Sequence, residues 1–428
     1  MRCIARTMLV AVAASAIVGV GSVGNAAPPN PGPLDISGEI IGAPYRIVVP
    51  AVWNGTLLLF QRGWTDKADH PGEVDNRNPT ITPPTAGIRD ALLARGYALS
   101  GSARKTNGYS VEDGLDDVVA LASYFRENVG KPTRTILWGV STGGNITLET
   151  AERNGGAFDG YLAINSGGAG STRNVDHFLD FQLAYDVAFG MPASWGTPGD
   201  VRDDLDYETE VRPIVSAQVG DLASLGRWEF IRLVAGIPGS GLTPPQGYFP
   251  DALLSLLFPL VTEFTAELER RAGGPVAQNL DHTYSLNPEE KVYLADLGVD
   301  AEPLLEAMNA RRNIAATPEQ RNYMKNFSDF SGLIKHPVLT LHAHIDEVAL
   351  VANEAAYRDT IAAAGRSDLL MQVFTGTTGH ASFTTNQTLA AIQALDDWVS
   401  TGIAPSPSAF PAALGFVPGF EPPAWADQ

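Results

Sequence analysis

The spacing of short apolar runs constrains this chain more than any other feature. TLLLF (Thr56–Phe60), TILWGV (Thr135–Val140), GYLAIN (Gly160–Asn165), PVLTL (Pro337–Leu341) and the run Leu369–Phe374 have the length of strands buried on both faces. A further strand is predicted at Tyr97–Gly101, and Gly42 and Pro44 break Asp35–Ile41 from Tyr45–Val49 into a hairpin. Between these runs, segments 88–95, 111–127, 145–153, 354–364 and 387–399 repeat apolar residues at helical spacing. Strand and helix alternating in short periods build a parallel sheet through right-handed crossovers. The predicted fold class is therefore α/β, a mostly parallel central sheet flanked by helices.

The rhythm stops between Ser166 and His336, where helical patterns and loops rich in Gly and Pro take over. The clearest helix there is Asp251–Arg271, apolar over much of its surface but interrupted by Pro259 and Glu263, which makes it a poor membrane span. The organisation expected is a first core segment at 27–165, a mainly helical insertion at 166–336 and a second core segment at 337–402. A Pro-rich tail at 403–428 is expected to lie on the surface.

Residues 1–26 are read as a leader rather than as fold. Arg2 and Arg6 precede the apolar run Met8–Val20, and small residues follow to Ala26, the pattern of a cleaved secretory signal. Its removal takes away Cys3, the one cysteine of the 428 residues. A secreted or periplasmic protein of this kind has no disulfides, and its core must supply the stability. The 48 acidic against 29 basic residues give a formal charge of −19, which repels phosphate backbones and anionic lipid. Nucleic acid is thereby excluded as a partner, no membrane span is expected after processing, and the oligomeric state stays open. With 44% apolar residues and only 18% charged, the chain is neither disordered nor a coiled coil.

The sharpest chemical feature is Gly139-Val140-Ser141-Thr142-Gly143-Gly144, which directly follows one buried run and opens a helical segment. A Gly-x-Ser-x-Gly sequence is a weak signal alone, and its position between strand and helix is the context that gives it meaning. A sharp turn there lifts the Ser141 hydroxyl above the sheet, while the helix N-terminus offers free N–H groups where an oxyanion would form.

A serine nucleophile needs a base, and the base needs an orienting carboxylate. Of the seven histidines, only His380 lies just past a late strand in a Gly-flanked loop, GTTGHASF. Asp346 stands beyond the run 337–341, at the strand ends where open α/β sheets gather their sites. Glu347 beside it is the weaker candidate acid. The chain order Ser141, Asp346, His380 is that of one hydrolase architecture.

The elbow GVSTGG, with LHAHIDEV and GTTGHASF following in that order, resembles the α/β-hydrolase superfamily over roughly 34–165 and 337–402. A secreted, esterase-like branch is suggested by WNGTLLLF and ARKTNGYSVEDGLDD. The resemblance implies an α/β-hydrolase fold with a cap at 166–336, Ser141 as nucleophile, His380 as general base and Asp346 as its orienter. It also implies an oxyanion hole from the backbone N–H groups of Thr142 and Trp64, although Arg62 stands where such enzymes usually carry His before Gly63. No cofactor is implied. The expected function is a secreted serine hydrolase that cleaves carboxylic esters, small or polymeric, through an acyl-enzyme.

A serine peptidase or amidase is the nearest alternative. Two remoter ones remain: a non-catalytic secreted binding protein on the same scaffold, and a metal-dependent hydrolase using His342, His344 and Asp346. The further His that such a metal motif wants after the Asp is replaced by Glu347.

Overall fold

The computed structural model describes residues 31–65, 82–239 and 253–426. The leader read at 1–26 lies outside the described residues.

Eight strands form the central sheet: β1 (Leu34–Ile40), β2 (Ala43–Val49), β3 (Thr56–Gln61), β4 (Ala98–Ser102), β5 (Arg134–Val140), β6 (Gly160–Ile164), β7 (Val338–Ile345) and β8 (Leu370–Thr378). Their spatial order is β1-β2-β4-β3-β5-β6-β7-β8. The pairs β1–β2 and β2–β4 are antiparallel, and every other pair is parallel. The apolar runs become strands because helices cover both faces. Every residue of β3, β4 and β6 is buried, which suits near-continuous apolar sequence.

On one face lie α2 (Val111–Asn128) and α3 (Thr142–Arg153), whose Val118, Leu121, Phe125, Ile146 and Leu148 are buried against Leu57, Leu59 and Leu137. On the other lie α1 (Ala86–Ala94) and the final helix, with Ile88, Leu92, Leu389, Ile392 and Trp398 packed on Leu58, Trp138, Leu162 and Leu339. Strand β7 runs four residues beyond the predicted 337–341, so His342 and His344 lie within it, and Asp346 follows its last residue.

Between β6 and β7 the chain inserts helices α4 (Ser171–Phe189), α5 (Arg212–Val219), α6 (Leu225–Val234), α7 (Thr265–Ala272), α8 (Pro288–Asp296), α9 (Ala301–Asn309) and α10 (Pro318–Ser328). The insertion also holds a short two-stranded ribbon, Gly196–Thr197 with Asp200–Val201. It has an aromatic core of its own, in which Tyr185 meets Trp195, Trp228 and Phe258 at ring separations of 5.8, 6.0 and 5.1 Å.

The helix expected at 251–271 is helical from Leu253, but not as one regular α-helix. Wider turns occupy Leu253–Leu257 and Leu260–Phe264 ahead of α7. Pro259 lies between them, lacking an N–H and crowding the preceding turn, and the wider turn accommodates it. No described helix is long and apolar enough to cross a membrane.

After β7, α11 (Ala352–Ala363), β8 and α12 (Thr385–Thr401) complete the core. The Pro-rich tail is less superficial than its composition predicts. Phe410 and Phe416 are buried, and Phe416 bridges to Thr375 of the edge strand β8. The tail thus covers part of an edge that would otherwise expose unpaired backbone groups.

Candidate active site

The turn from β5 to α3 is built around two contacts that admit no side chain. A Cβ on Gly139 would lie 2.2 Å from the carbonyl oxygen of Gly143, and one on Gly143 would lie 2.2 Å from that of Gln61 at the end of β3. Glycine at both positions lets α3 start directly beneath the β3 loop. Ser141 pays for this tightness with a backbone at φ 57° and ψ −124°, a region that L-residues rarely occupy. Its N–H donates to the carbonyl of Ile164 at 2.9 Å, and its carbonyl accepts from Asn145 at 3.1 Å. A strained serine between a strand and a helix that starts at Thr142 is the nucleophile-elbow geometry. With the sheet order above, this decides the architecture.

The chain has the α/β-hydrolase fold.

His380 follows β8 in a loop, and Asp346 follows β7. Nδ1 of His380 lies 2.9 Å from Oδ2 and 3.1 Å from Oδ1 of Asp346. Asp346 is fully buried and well supplied with donors. Its Oδ1 accepts from the N–H groups of Val348 and Ala349 at 2.8 and 2.9 Å, and its Oδ2 accepts from Nδ2 of Asn165 at 2.5 Å. Burial alone would raise its pKa. The charge and hydrogen bond of His380, the charge of His342 and the Val348 N–H outweigh that and hold it below the usual carboxylate value.

Nε2 of His380 is buried and has no hydrogen-bond partner. Ser141, Thr142 and His380 line one cavity of about 540 Å³, which includes space open to solvent. The structure therefore brings together the three triad candidates and Thr142. Glu347, the alternative acid, accepts from the backbone N–H of His380 instead of its ring, and burial raises its pKa.

The β3 loop runs beside the elbow. A Cβ built on Gly63 would stand 3.3 Å from Cβ and 3.8 Å from Oγ of Ser141. The Trp64 ring packs edge-on against Phe264 of the insertion, with centroids 6.0 Å apart. Behind the loop sits Arg104, fully buried and at φ 65°. Its Nη1 donates to the carbonyl of Arg62 at 2.9 Å, and its Nη2 donates to that of Gly63 at 2.6 Å. Burial, then the Arg62 charge, brings its pKa down to about 9.

The cavity has two kinds of wall. Phe178, Leu260, Phe264 and Met324 give it an apolar side from the insertion, while Asn145, Asn165, Ser171 and Asn174 give a polar side. Phe264 is the hub of the aromatic side, with Trp64, Tyr109 and Phe178 all set edge-on against it.

His342, His344 and Asp346 do not form a ligand set. Both ring nitrogens of His342 face protein oxygens, the carboxylate of Glu354 at 3.0 Å and the carbonyl of Ala349 at 2.8 Å. His344, two residues along the same strand, bonds the carbonyl of Thr375 instead.

Sequence reasoning did not single out Asn165, Arg104 or the His342–Glu354 pair. Asn165 carried one usable signal, an Asn closing a buried strand. It sits at φ 45°, which Asn tolerates better than most residues.

No family model matches the chain. It is similar to the o-phthalyl amidase of Xanthobacter agilis, 24% identical over 413 residues that span 85% of this chain and 87% of the amidase. Among solved structures it is similar to an esterase from Aspergillus oryzae, at 14% identity with a TM-score of 0.43, covering 85% of this chain and 78% of that one. Candida antarctica lipase A gives 14% identity and a TM-score of 0.43 over 85% and 74%. The proline iminopeptidase of Mycobacterium smegmatis gives 12% and 0.39 over 86% and 100%.

Proposed function

We propose that this α/β-hydrolase-fold chain is a serine hydrolase that transfers a carboxylic acyl group to water through Ser141, His380 and Asp346. One observation carries the reading. The serine in the strained elbow and the unpartnered Nε2 of His380 line the same cavity, and Asp346 holds the other ring nitrogen of that histidine.

Asp346 accepts from Nδ1–H and so leaves Nε2 as the free base. In the proposed reaction Ser141 Oγ attacks the acyl carbon while its proton passes to Nε2. The tetrahedral oxyanion is held by the N–H of Thr142 at the start of α3 and by the N–H of Trp64 from the β3 loop. Losing one such donor costs ~2.7–4 kcal/mol of barrier. Collapse expels the leaving group, which takes the proton from His380. Water, deprotonated by the same nitrogen, then attacks the acyl-enzyme, and the carboxylic acid leaves as the proton on Nε2 returns to Ser141 Oγ.

The proposed bond is a carboxylic ester, whose leaving group departs with less help from a proton than an amine does. Amide cleavage is the second reading, and the likeness to an amidase across most of both chains supports it. The insertion at 166–336 serves as a cap that shapes the acyl site, and residues 1–26 direct export. Turnover of a p-nitrophenyl ester and the p-nitroanilide of the same acyl group, by the wild type and Ser141→Ala, tests the proposal. Ester turnover that disappears in the variant supports it, faster anilide turnover transfers it to amides, and full activity in the variant refutes it.

A further inference from the structure

Beside Asp346, and outside the cavity lining, lies a second histidine–carboxylate pair that the acyl-transfer mechanism does not use. His342 in β7 and Glu354 in α11 are both buried, 0% and 2% exposed. Nδ1 of His342 is 3.0 Å from Oε1 of Glu354, and Nε2 is 2.8 Å from the carbonyl oxygen of Ala349. A carbonyl oxygen can only accept, so Nε2 carries a hydrogen. The remaining question is where the proton between Nδ1 and Oε1 resides.

The other oxygen of Glu354 answers it. Oε2 accepts from the Thr340 hydroxyl at 2.5 Å and from the Gln372 amide at 2.5 Å. Two donors on one oxygen stabilise the ionised carboxylate and place the shared proton on the imidazole. A second charge acts in the same sense. Oδ2 of Asp346 lies 3.7 Å from Nε2 of His342 and favours the cation. The direction of the His342 pKa agrees: burial pulls it down, and the bond and charge of Glu354, then the charge of Asp346, carry it above the usual value.

We propose that His342 is a permanent imidazolium, fixed by Glu354, and that it acts as a positioning residue by setting the charge that Asp346 presents to His380. This rests on the reading of Asp346 and His380 as orienter and base. The charged or titratable groups around the arrangement are Glu354 from α11, Tyr357 of the same helix, which feels the Glu354 charge, Asp346 itself, His380 from the loop after β8, and Glu347, whose carboxylate feels both Asp346 and His380. With a cation on each side, Asp346 is shared. The negative charge of Asp346 is therefore divided between the two imidazoles instead of acting on His380 alone. Loss of the His342 charge leaves the whole of Asp346 to His380, and the acid limb of ester turnover is expected to move upward.

Two measurements test this. The first is the imidazole ¹H–¹⁵N spectrum of the wild-type protein labelled with ¹⁵N-histidine, with His342 assigned by the signals missing in His342→Gln. Two ring N–H groups on His342 throughout pH 5.5–8.5 are expected; one ring N–H overturns the proposal whatever the enzyme does. The second is the pH profile of kcat/KM for ester turnover in the double variant His342→Gln/Glu354→Gln, which removes both charges. Its acid limb should lie about 0.5–1 pH unit above that of the wild type, so that turnover on the acid limb falls by about 3- to 10-fold. A lower rate with an unmoved limb would mean that His342 is only structural. Ser141→Ala separates the two claims, because full turnover there refutes the serine mechanism and leaves the spectrum as the test of the imidazolium.

Discussion

Nη2 of Arg104 donates to the carbonyl of Gly63 at 2.6 Å, and Gly63 lies against Ser141. One buried guanidinium thus fixes two successive carbonyls of the β3 loop, and with them the direction of the Trp64 N–H that the proposed oxyanion hole requires. Arg104→Met keeps the stem and removes the fork. The expected result is a fall in kcat of ~10²-fold with KM little changed, because misplacing a donor by an ångström has that effect. The two orphaned carbonyls should also cost about 1–3 kcal/mol each in stability. Steady-state kinetics beside denaturant unfolding separate the two effects.

Phe264 is the point where the insertion meets both Trp64 and the cavity wall. Phe264→Ala should lower stability by about 3–5 kcal/mol, the range for truncating a buried Phe. The enlarged apolar side should shift relative kcat/KM from short acyl chains toward longer or aromatic ones. A panel of p-nitrophenyl esters of graded acyl size measures this, and an unchanged preference would remove the insertion from substrate selection.

The core of the fold was legible because β3, β5, β6 and the start of β7 are apolar on both faces and need no tertiary context to be recognised. Strand β7 was read four residues short for the converse reason. His342 and His344 look like the end of a strand, and nothing local reveals that Glu354 and Thr375 satisfy them. The candidates Ser141, Asp346 and His380 were legible from chain order and position at strand ends. Asn165 and Arg104 act across long sequence separations, 181 residues to Asp346 and 41 to Gly63, so their roles emerge only when the chain is folded. The tail illustrates the opposite error. Its prolines suggested a loose surface segment, and they hid two phenylalanines that dock on the edge strand.

Glu269 of α7 gives the insertion a dependence on pH. Its Oε2 accepts from the Val201 N–H at 3.0 Å, and burial pushes its pKa up to about 9. The fold favours the protonated form, so its contribution to stability is fully present below the unfolded value near 4.5 and is lost as pH rises toward about 9. Glu269→Gln keeps the shape without the titration. Thermal unfolding should give similar midpoints for variant and wild type at pH 4 and a higher midpoint for the variant at pH 8. Parallel curves would show that Glu269 is solvated when ionised.

In the proposed mechanism Ser141 is the nucleophile, and His380, oriented by Asp346, makes it so. The most direct test is active-site labelling by a fluorophosphonate probe, read by intact mass and peptide mapping. A single adduct at Ser141 is expected, none in Ser141→Ala, and labelling of His380→Ala slowed by at least ~10²-fold. Adduct formation elsewhere, or undiminished labelling in Ser141→Ala, would contradict it.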